Sequence, residues 1–295
     1  MMQYSYYPGC SLKGSGRAYE ESVLAVFDHL GIELKEIDDW NCCGATAYMS
    51  VDERRSFALA ARNLAISERD MPESPMVVPC SGCYVTLNKT CHVVKDYPAI
   101  KDDVTKALDR AGLKWKNQVP VRHPLDVLMQ DVGLDRIKEA VVKPLKGLKI
   151  APYYGCQIVR PYAEFDHQIH PTSMDRMFEA LGATVVHYPL KTKCCGGSMT
   201  GTAPEVGLRL VYLLLKEAAK READLMATVC PLCQFNLDAF AKEAARAYGP
   251  VNMPVIYFTQ LLGLAMGLSE EKLGLQRNII SAKNALKGAA AAAAR

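Results

Sequence analysis

Ten of the eleven cysteines fall into two sets with the same internal order, and thiols in such numbers point to metal or redox chemistry. Each set has a single cysteine, then an adjacent pair, then two cysteines separated by two residues. The first set is Cys10, Cys42, Cys43, Cys80 and Cys83, and the second is Cys156, Cys194, Cys195, Cys230 and Cys233. Matching positions in the two sets lie 146 to 152 residues apart, so the spacing predicts a duplicated domain.

Five thiols per set is an unusual number for the common cysteine-based sites. A closed structural zinc site takes four ligands. Disulfides use cysteines in pairs, and a bond between adjacent cysteines strains the peptide. Sites richer in thiolate than one divalent ion needs are typical of iron–sulfur chemistry, which the sequence therefore favours. Paired structural zinc sites and buried free cysteines remain the alternatives.

The doubled arrangement, with Cys-Cys-Gly at 42–44 and again at 194–196, resembles the CCG cysteine-rich domain found in the B subunit of heterodisulfide reductase. The resemblance covers residues 1 to about 270 and all ten cysteines. It implies that each set binds a non-cubane 4Fe-4S cluster through its five cysteines. It also implies that a disulfide is cleaved between the two clusters. The last gap of the second set, 34 residues, is slightly shorter than is usual in the family, which we interpret as a loop difference.

The resemblance further implies a complex in which the electrons come from a ferredoxin-like C subunit and, ultimately, from a flavin-containing A subunit. The substrate would be a small-molecule or carrier-bound disulfide or thiol, whose identity the chain does not specify. Two alternatives stay open: membership of a sulfur-oxidising complex that runs the chemistry towards disulfide, and a non-catalytic role in electron relay.

Several charged or titratable side chains near the second set are candidates for contact with substrate. Lys191 and Lys193 flank the adjacent pair, and Arg160 follows Cys156 by four residues. They could neutralise cluster charge or bind an anionic end of the substrate. His167 precedes the pair and could contact substrate or carry a proton. The competing interpretation is that all four belong to exposed polar loops.

The predicted secondary structure explains how residues so far apart in sequence could converge. Short apolar runs at 2–7, 32–37 and 76–79 read as strands with helices between them, and runs at 148–154, 183–188 and 225–229 repeat the order. The pattern predicts tandem duplicated α/β domains, each β-α-β-α-β-α with a mainly parallel sheet. Every cysteine then follows the carboxyl end of a strand, the edge at which open parallel sheets carry their sites.

The repeat sets the predicted domain boundaries. A first CCG domain spans 1–146, a second spans 147–268, and the Pro/Gly/Lys-rich stretch 143–147 joins them. Residues 269–295, with their run of alanines, form a C-terminal tail or docking helix to which we assign no chemistry. Cys91, the one cysteine outside the sets, is predicted to be a structural helix residue.

Composition narrows the class of protein. The chain is 49% apolar and 23% charged, as expected for a globular protein. A net charge of +3 gives no reason to expect nucleic acid binding. We expect no membrane span and a cytoplasmic location, where clustered thiols stay reduced. Gly14 and Gly16 suggest a nucleotide loop, but the required third glycine is replaced by Tyr19, so we expect neither nucleotide nor flavin.

Overall fold

The chain folds into two α/β halves, each built on a four-stranded sheet in which all neighbouring strands are parallel. The computed structural model describes residues 2–45 and 48–293. Two predicted segments extend beyond this range: the first domain at residue 1 and the C-terminal segment at residues 294–295.

The first half has the strand order β2-β1-β3-β4. Its strands are β1 (Met2–Tyr6), β2 (Ile32–Glu36), β3 (Met76–Val77) and β4 (Val121–Arg122). Its helices are α1 (Gly9–Leu12), α2 (Arg17–His29), α3 (Tyr48–Val51), α4 (Glu53–Asp70), α5 (Ser81–Asp96), α6 (Pro98–Arg110), α7 (Pro124–Val127) and α8 (Leu134–Glu139), with a π-helix at Leu128–Val132 between the last two.

The second half repeats this plan with the order β6-β5-β7-β8. Its strands are β5 (Lys149–Tyr153), β6 (Thr184–Val185), β7 (Leu225–Thr228) and β8 (Val255–Tyr257). Its helices are α9 (Ser173–Ala180), α10 (Pro204–Lys220), α11 (Pro231–Ala239), α12 (Ala241–Tyr248), α13 (Phe258–Ala265) and α14 (Lys283–Ala293), with a 3-10 helix at Leu275–Arg277.

The predicted fold class, tandem α/β units with mainly parallel sheets, is confirmed, but each sheet has four strands where the pattern predicted three. The additional strands are β4 and β8, which continue the sheets beyond β3 and β7. They are two and three residues long, and the sequence interpretation read both segments only as leading into a helix. Each leads at once into a helix, α7 or α13.

Helix α2 shows how sequence pattern becomes packing. Val23, Val26 and Phe27 recur at helical spacing and are fully buried against the sheet. Burying each such side chain stabilises the fold by about 1.5–3 kcal/mol. The helix ends before Gly31, whose φ of +66° is a conformation that glycine adopts without strain.

The two halves exchange helices, so one hydrophobic core runs through both. Helix α13 of the second half packs on α2 of the first, while α7 and α8 of the first half pack on α9 of the second. A buried hydrogen bond of 2.6 Å joins the hydroxyls of Ser22 and Thr259 across the first of these contacts. This reciprocal packing fixes how the two sheets face each other.

The segment that follows α13 docks on both halves. Leu273 is fully buried, and the guanidinium of Arg277 binds the carboxylate of Glu21 on α2 at 2.7 and 2.8 Å. The carboxylate of Asp238 on α11 accepts hydrogen bonds from the backbone N–H groups at 279 and 280. This stretch therefore ties the second half to the first before α14 begins.

Helix α10 contains the apolar run 211–215, but Arg209 and Lys216 flank that run. Across the part of the chain that the structure describes, no helix combines the length and the apolar character needed to cross a membrane.

Candidate metal centres

The carboxyl ends of three adjacent strands gather each cysteine set. In the first half, Cys10 lies in α1 just after β1, the adjacent pair follows β2, and the last two cysteines open α5 after β3. Because β2, β1 and β3 are neighbours in the sheet, these three turns meet at one edge. The second half places its set in the same way after β5, β6 and β7.

In the first set, four sulfurs form a chain of contacts. The Sγ atoms of Cys43 and Cys83 lie 3.2 Å apart, with Cys42 beside the former and Cys80 beside the latter. Cys10 lies within electrostatic range of Cys42. The members of the set that lie deeper, including Cys43, are buried, whereas Cys10 and Cys42 are exposed. The site therefore has a buried floor and an open rim.

In the second set, all five sulfurs form one continuous chain of contacts. The chain runs, in order of contact, through Cys156, Cys194, Cys195, Cys233 and Cys230. The last three are buried, Cys156 is half-buried and Cys194 is exposed. Among the described residues, no three His, Cys, Asp or Glu side chains surround a point where a single metal ion would sit; the sulfurs form a row.

Two matching glycines let the backbone pass against the sulfurs. A Cβ atom at Gly9 would lie 2.9 Å from Sγ of Cys83, and one at Gly155 would lie 3.1 Å from Sγ of Cys233. Both residues have positive φ, +69° and +71°, so a side chain would bring strain as well as crowding. The floor of each site is thus closed by a glycine that no other residue could replace without displacing a sulfur.

Hydrogen bonding favours the thiolate, the form that binds metals, at Cys43 in the first set and at Cys194 and Cys230 in the second. Hydrogen bonds from neighbouring thiols, Cys42 first, lower the pKa of Cys43 well below its ordinary value. In the second set, hydrogen bonds from Cys156 and from the adjacent thiol lower the pKa of Cys194 to about 2, and the nearby Arg160 adds to the effect. Each set therefore contains at least one thiol that favours the thiolate form.

Two tyrosines that the sequence interpretation missed support the paired cysteines. Tyr7 donates its hydroxyl to the carbonyl of Asn41 at 2.8 Å, and Tyr153 donates to the carbonyl of Lys193 at 2.7 Å. Each carbonyl belongs to the residue just before an adjacent cysteine pair. The repeated sequence Tyr-x-Gly-Cys at 7–10 and 153–156 is the signal that could have identified them.

The four candidate substrate contacts occupy different environments. The side chain of Arg160 donates to the carbonyl of Thr192 and lies within electrostatic range of Cys194. Lys193 is exposed beside the pair. Lys191 is largely buried and pairs with Asp175 at 3.0 Å.

The histidines of the preceding loop have local roles. Nδ1 of His167 accepts hydrogen bonds from the backbone N–H groups of Ile169 and His170, at 3.1 and 3.0 Å, so this nitrogen organises its own loop. Of the candidates, Arg160 and Lys193 are thus the two that the structure brings beside the second set.

Cys91, the cysteine outside the sets, lies on α5 and packs against the core. Its carbonyl accepts a hydrogen bond from the side chain of Asn117 at 2.9 Å. Burial raises the pKa of its thiol to about 12, so it stays protonated at neutral pH. These surroundings contrast with the thiolate-favouring environment of the two sets.

The two cysteine sites meet at the boundary between the halves. His123, at the end of β4, lies between the carbonyls that precede Cys80 and Cys230: its Nε2 is 2.9 Å from the oxygen of Pro79 and 3.3 Å from that of Val229. Because Nδ1 accepts the Leu125 N–H, the ring proton lies on Nε2, which donates to these carbonyls. One imidazole therefore links the last cysteine turn of each half.

A stacked pair of tyrosines lies beside the same junction. The rings of Tyr19 and Tyr257 stack with centroids 4.4 Å apart and an interplanar angle of 2°. Burial, and after it the charge of nearby thiols including Cys230 and Cys80, raises the pKa of both hydroxyls well above the ordinary value. Both tyrosines therefore lie within electrostatic range of one buried cysteine from each set.

His123 makes the stability of the fold depend on pH. Burial lowers the pKa of His123 from 6.5 to about 3. The imidazole therefore binds a proton near pH 6.5 in the unfolded chain, but only near pH 3 in the folded chain. The contribution of His123 to the free energy of unfolding is thus fully present above pH 6.5 and decreases as the pH falls below that value. We expect the free energy of unfolding to decrease by about 2 kcal/mol between pH 7 and pH 5 from this residue alone.

Denaturant titrations of the wild type and of His123→Gln at both pH values measure this effect. Glutamine retains an N–H donor but does not titrate, so the decrease between the two pH values should be about 2 kcal/mol smaller in the variant. Thiols of the two sets titrate in both proteins, and the comparison cancels them. His29→Gln, the same substitution at an exposed position, is measured beside it as the control. Equal slopes for wild type and His123→Gln would refute the assignment.

The chemistry of the donors fits a polynuclear iron–sulfur core. Each set offers five thiols, backbone N–H groups aimed at sulfur at Gly44 and Gly196 (3.5 and 3.4 Å), and a glycine-lined floor. Such clusters are held by thiolates and tuned by hydrogen bonds to sulfur. In each half the five cysteines named above would be the ligands.

The chain is similar in sequence to a known domain family and to several named proteins. The model of the CCG cysteine-rich domain matches residues 4–88 and 150–238, one copy in each half. The 8-methylmenaquinol:fumarate reductase membrane anchor subunit of Wolinella succinogenes is 34% identical, over 95% of this chain and 98% of its own. The heterodisulfide reductase B-subunit-like protein of Archaeoglobus profundus is 32% identical, over 92% and 93%. The B subunit of the ferredoxin/F420H2-dependent CoB-CoM heterodisulfide reductase of Methanosarcina acetivorans is 31% identical, over 95% and 94%.

Among solved structures, a hypothetical protein from Helicobacter pylori has a similar fold, with a TM-score of 0.75 and 13% sequence identity. The similarity covers 95% of this chain but only 52% of that one. At this identity the likeness concerns the fold alone.

Proposed function

Because the chain belongs to the CCG cysteine-rich domain family and carries that domain twice, we propose that it is the catalytic iron–sulfur subunit of a heterodisulfide-reductase-like complex. Relatives that are 31–32% identical are named as the B subunit of a heterodisulfide reductase or as a protein like it. These names imply an iron–sulfur oxidoreductase that works together with other subunits. The finer proposal is that each five-cysteine set binds one non-cubane 4Fe-4S cluster, and that a disulfide is reduced or formed between the two.

The observation that carries this proposal is the meeting of the two cysteine sites at the junction of the halves. His123 hydrogen-bonds the carbonyls before Cys80 and Cys230, and the stacked tyrosines lie within electrostatic range of both of these cysteines. Reducing a disulfide takes two electrons and two protons and yields two thiols. Two adjacent one-electron centres facing a shared region suit that stoichiometry.

In this proposal the buried and the exposed residues of each site have different roles. When bound, each cluster supplies single electrons and an iron site that can hold a sulfur. The buried cysteines would anchor the core away from water, while the exposed Cys10, Cys42 and Cys194 line the side open to substrate. Arg160 would offer positive charge beside Cys194, and the exposed Lys193 could bind an anionic end of the substrate.

The proposed complex includes other subunits that supply the electrons. Electrons would come from a ferredoxin-like C subunit and a flavin-containing A subunit, so this chain itself would bind neither flavin nor nucleotide. A cytoplasmic location would keep unbound thiols reduced. The domains would be 1–146 and 147–268, followed by the segment 269–295.

A second candidate function is electron relay without disulfide chemistry. The relative that is 34% identical is named for a quinol:fumarate reductase, a complex whose name contains no disulfide. In that case the two sites would pass electrons to a partner. The direction of disulfide chemistry is a separate alternative, since a sulfur-oxidising complex could use the same sites in reverse.

Thiol release in single turnover distinguishes these functions. The anaerobically purified chain, reduced with dithionite and freed of excess reductant, is mixed with CoB-CoM heterodisulfide or with lipoamide disulfide. The catalytic proposal predicts two thiols released per two electrons withdrawn from the protein. A protein that holds iron and passes electrons to an acceptor dye, yet releases no thiol from either disulfide, would support relay instead.

A further inference from the structure

A cavity of about 650 Å³ opens between α5, α6 and the loop that leads to β4. Buried apolar side chains form its floor: Val94, Val104, Leu108 and Leu113. Exposed lysines form its rim: Lys95, Lys101, Lys114 and Lys116. Sites for small molecules are concave, mostly apolar and of this size. The cavity therefore has the form of a ligand site, with an apolar interior and a positively charged rim.

The positive charge of the rim is not neutralised by neighbouring acids. Within residues 2–45 and 48–293, none of the rim lysines forms an ion pair, whereas lysines elsewhere, such as Lys89 and Lys149, pair with glutamates. Asp109 is the acidic residue of the lining. Like charges held close together repel one another, and an anion bound among them relieves that repulsion. The rim is therefore suited to a negatively charged group.

The 113–117 loop, which carries two of the rim lysines, is held in place by both α4 and α5. The buried carboxylate of Glu68 on α4 accepts the backbone N–H of Lys116 at 2.8 Å and that of Gln118 at 3.1 Å. Asn117 adopts a left-handed conformation, with φ of +59°, and its side chain donates to a backbone carbonyl of α5 at 2.9 Å. Such backbone strain persists where surrounding contacts fix it, as they do in ligand sites. The loop is thus preorganised, which lowers the entropic cost of binding.

Trp115 gives the cavity an aromatic wall. The side chain is half-buried, packs against the core and lines the cavity. Its indole N–H has no hydrogen-bond partner in the part of the chain that the structure describes, whereas that of Trp40 donates to Glu36 at 3.0 Å. Indole combines a large apolar face with one polar donor. This wall is therefore suited to an apolar body that also carries an acceptor.

We propose that this cavity is a binding site for a small amphipathic anion, with its carboxylate or sulfonate on the rim lysines and its apolar body on the floor beside Trp115. An inorganic anion would leave the floor in contact with water, and a neutral or cationic molecule would leave the lysine charges uncompensated. The cavity lies near the end of α5, about 18 Å along the helix from Cys83. The inference therefore goes beyond the proposed function and does not depend on it.

Isothermal titration calorimetry of the full, anaerobically purified chain tests the proposal with three probes below their micellar concentrations. Decanoate has both the head and the body, decylammonium has the same body with a positive head, and acetate has the head alone. We expect decanoate to bind at one site per chain, and the other two to bind at least about tenfold more weakly. Raising the salt concentration should weaken decanoate binding, because the lysines are exposed to solvent.

Two variants locate the binding, and a third is the matched control. The double variant Lys114→Gln, Lys116→Gln should bind decanoate roughly tenfold more weakly. Thr105→Trp, which fills the cavity from an exposed position on α6, should abolish binding with every lysine present. Lys143→Gln, Lys146→Gln removes two exposed lysines outside the cavity and should keep the wild-type affinity.

The outcomes separate this inference from the iron–sulfur proposal. All of the variants should keep the wild-type iron content, since the changed residues lie outside both cysteine sets. No binding of decanoate, equal binding of decylammonium, or an affinity unchanged in both cavity variants would overturn the proposed anion site and leave the proposed function standing. A chain that binds decanoate as expected but contains no iron would retain the anion site and overturn the proposed function.

Discussion

Replacing Cys195 with serine should remove about half of the bound iron, from about eight atoms per chain to about four, and abolish disulfide turnover. Cys195 is buried in the middle of the second row of sulfurs, in contact with Cys194 on one side and Cys233 on the other. Losing it divides the row, whereas the first set lies in the other half and keeps its ligands. Because two electrons must reach one disulfide, a single remaining cluster should leave less than about 1% of the wild-type rate. Iron and acid-labile sulfide are measured beside thiol release.

Cys91→Ser is the matched control for this prediction. It also exchanges a cysteine for serine, but at a half-buried position outside both sets, packed against the core on α5. It should retain about eight iron atoms and the wild-type rate. If Cys91→Ser lost as much iron as Cys195→Ser, or if Cys195→Ser kept all of its iron, the assignment of the second set as a cluster site would be wrong.

In Gly9→Ala the first site should lose its iron. The added methyl carbon would lie 2.9 Å from Sγ of Cys83, closer than real contacts allow, and the crowded atom is one of the proposed ligands. The φ of +69° adds a backbone penalty of about 1–2 kcal/mol. We expect iron content to fall from about eight atoms to about four and turnover to fall below about 1% of wild type.

Gly31→Ala separates crowding from backbone strain. Gly31 has nearly the same φ, +66°, but no atom lies within 4 Å of an added Cβ. Both variants should lose about 1–2 kcal/mol from the backbone, Gly9→Ala should lose more because of the crowding, and only Gly9→Ala should lose iron. Equal iron content in the two variants would show that the glycine floor has no part in holding a cluster.

The sequence was sufficient to predict where the cysteines converge because their positions depend on local structure. Each one follows a short strand, and the carboxyl ends of adjacent parallel strands share one edge. The repeat then predicted two such edges. The fourth strand of each sheet was missed although β4 and β8 are no shorter than β3 and β6, because their segments were interpreted only as leading into the helices that follow.

What the sequence could not predict depends on contacts between distant segments. His123 gains its role because α13 packs on α2 and α8 packs on α9, an exchange that no local pattern encodes. The position of His167 before the second pair suggested contact with substrate, yet its Nδ1 binds the backbone of its own loop. Spacing alone cannot distinguish these two uses of a histidine.

Electron paramagnetic resonance of the anaerobically purified chain, recorded as electrons are added one at a time, tests the central claim most directly. Two clusters that face one junction should interact magnetically, so the wild-type spectrum should differ from the sum of the spectra of Cys43→Ser and Cys195→Ser. The iron content should be about eight atoms per chain. Zinc without iron, or a wild-type spectrum equal to that sum, would contradict the claim that two iron–sulfur clusters share the junction between the halves.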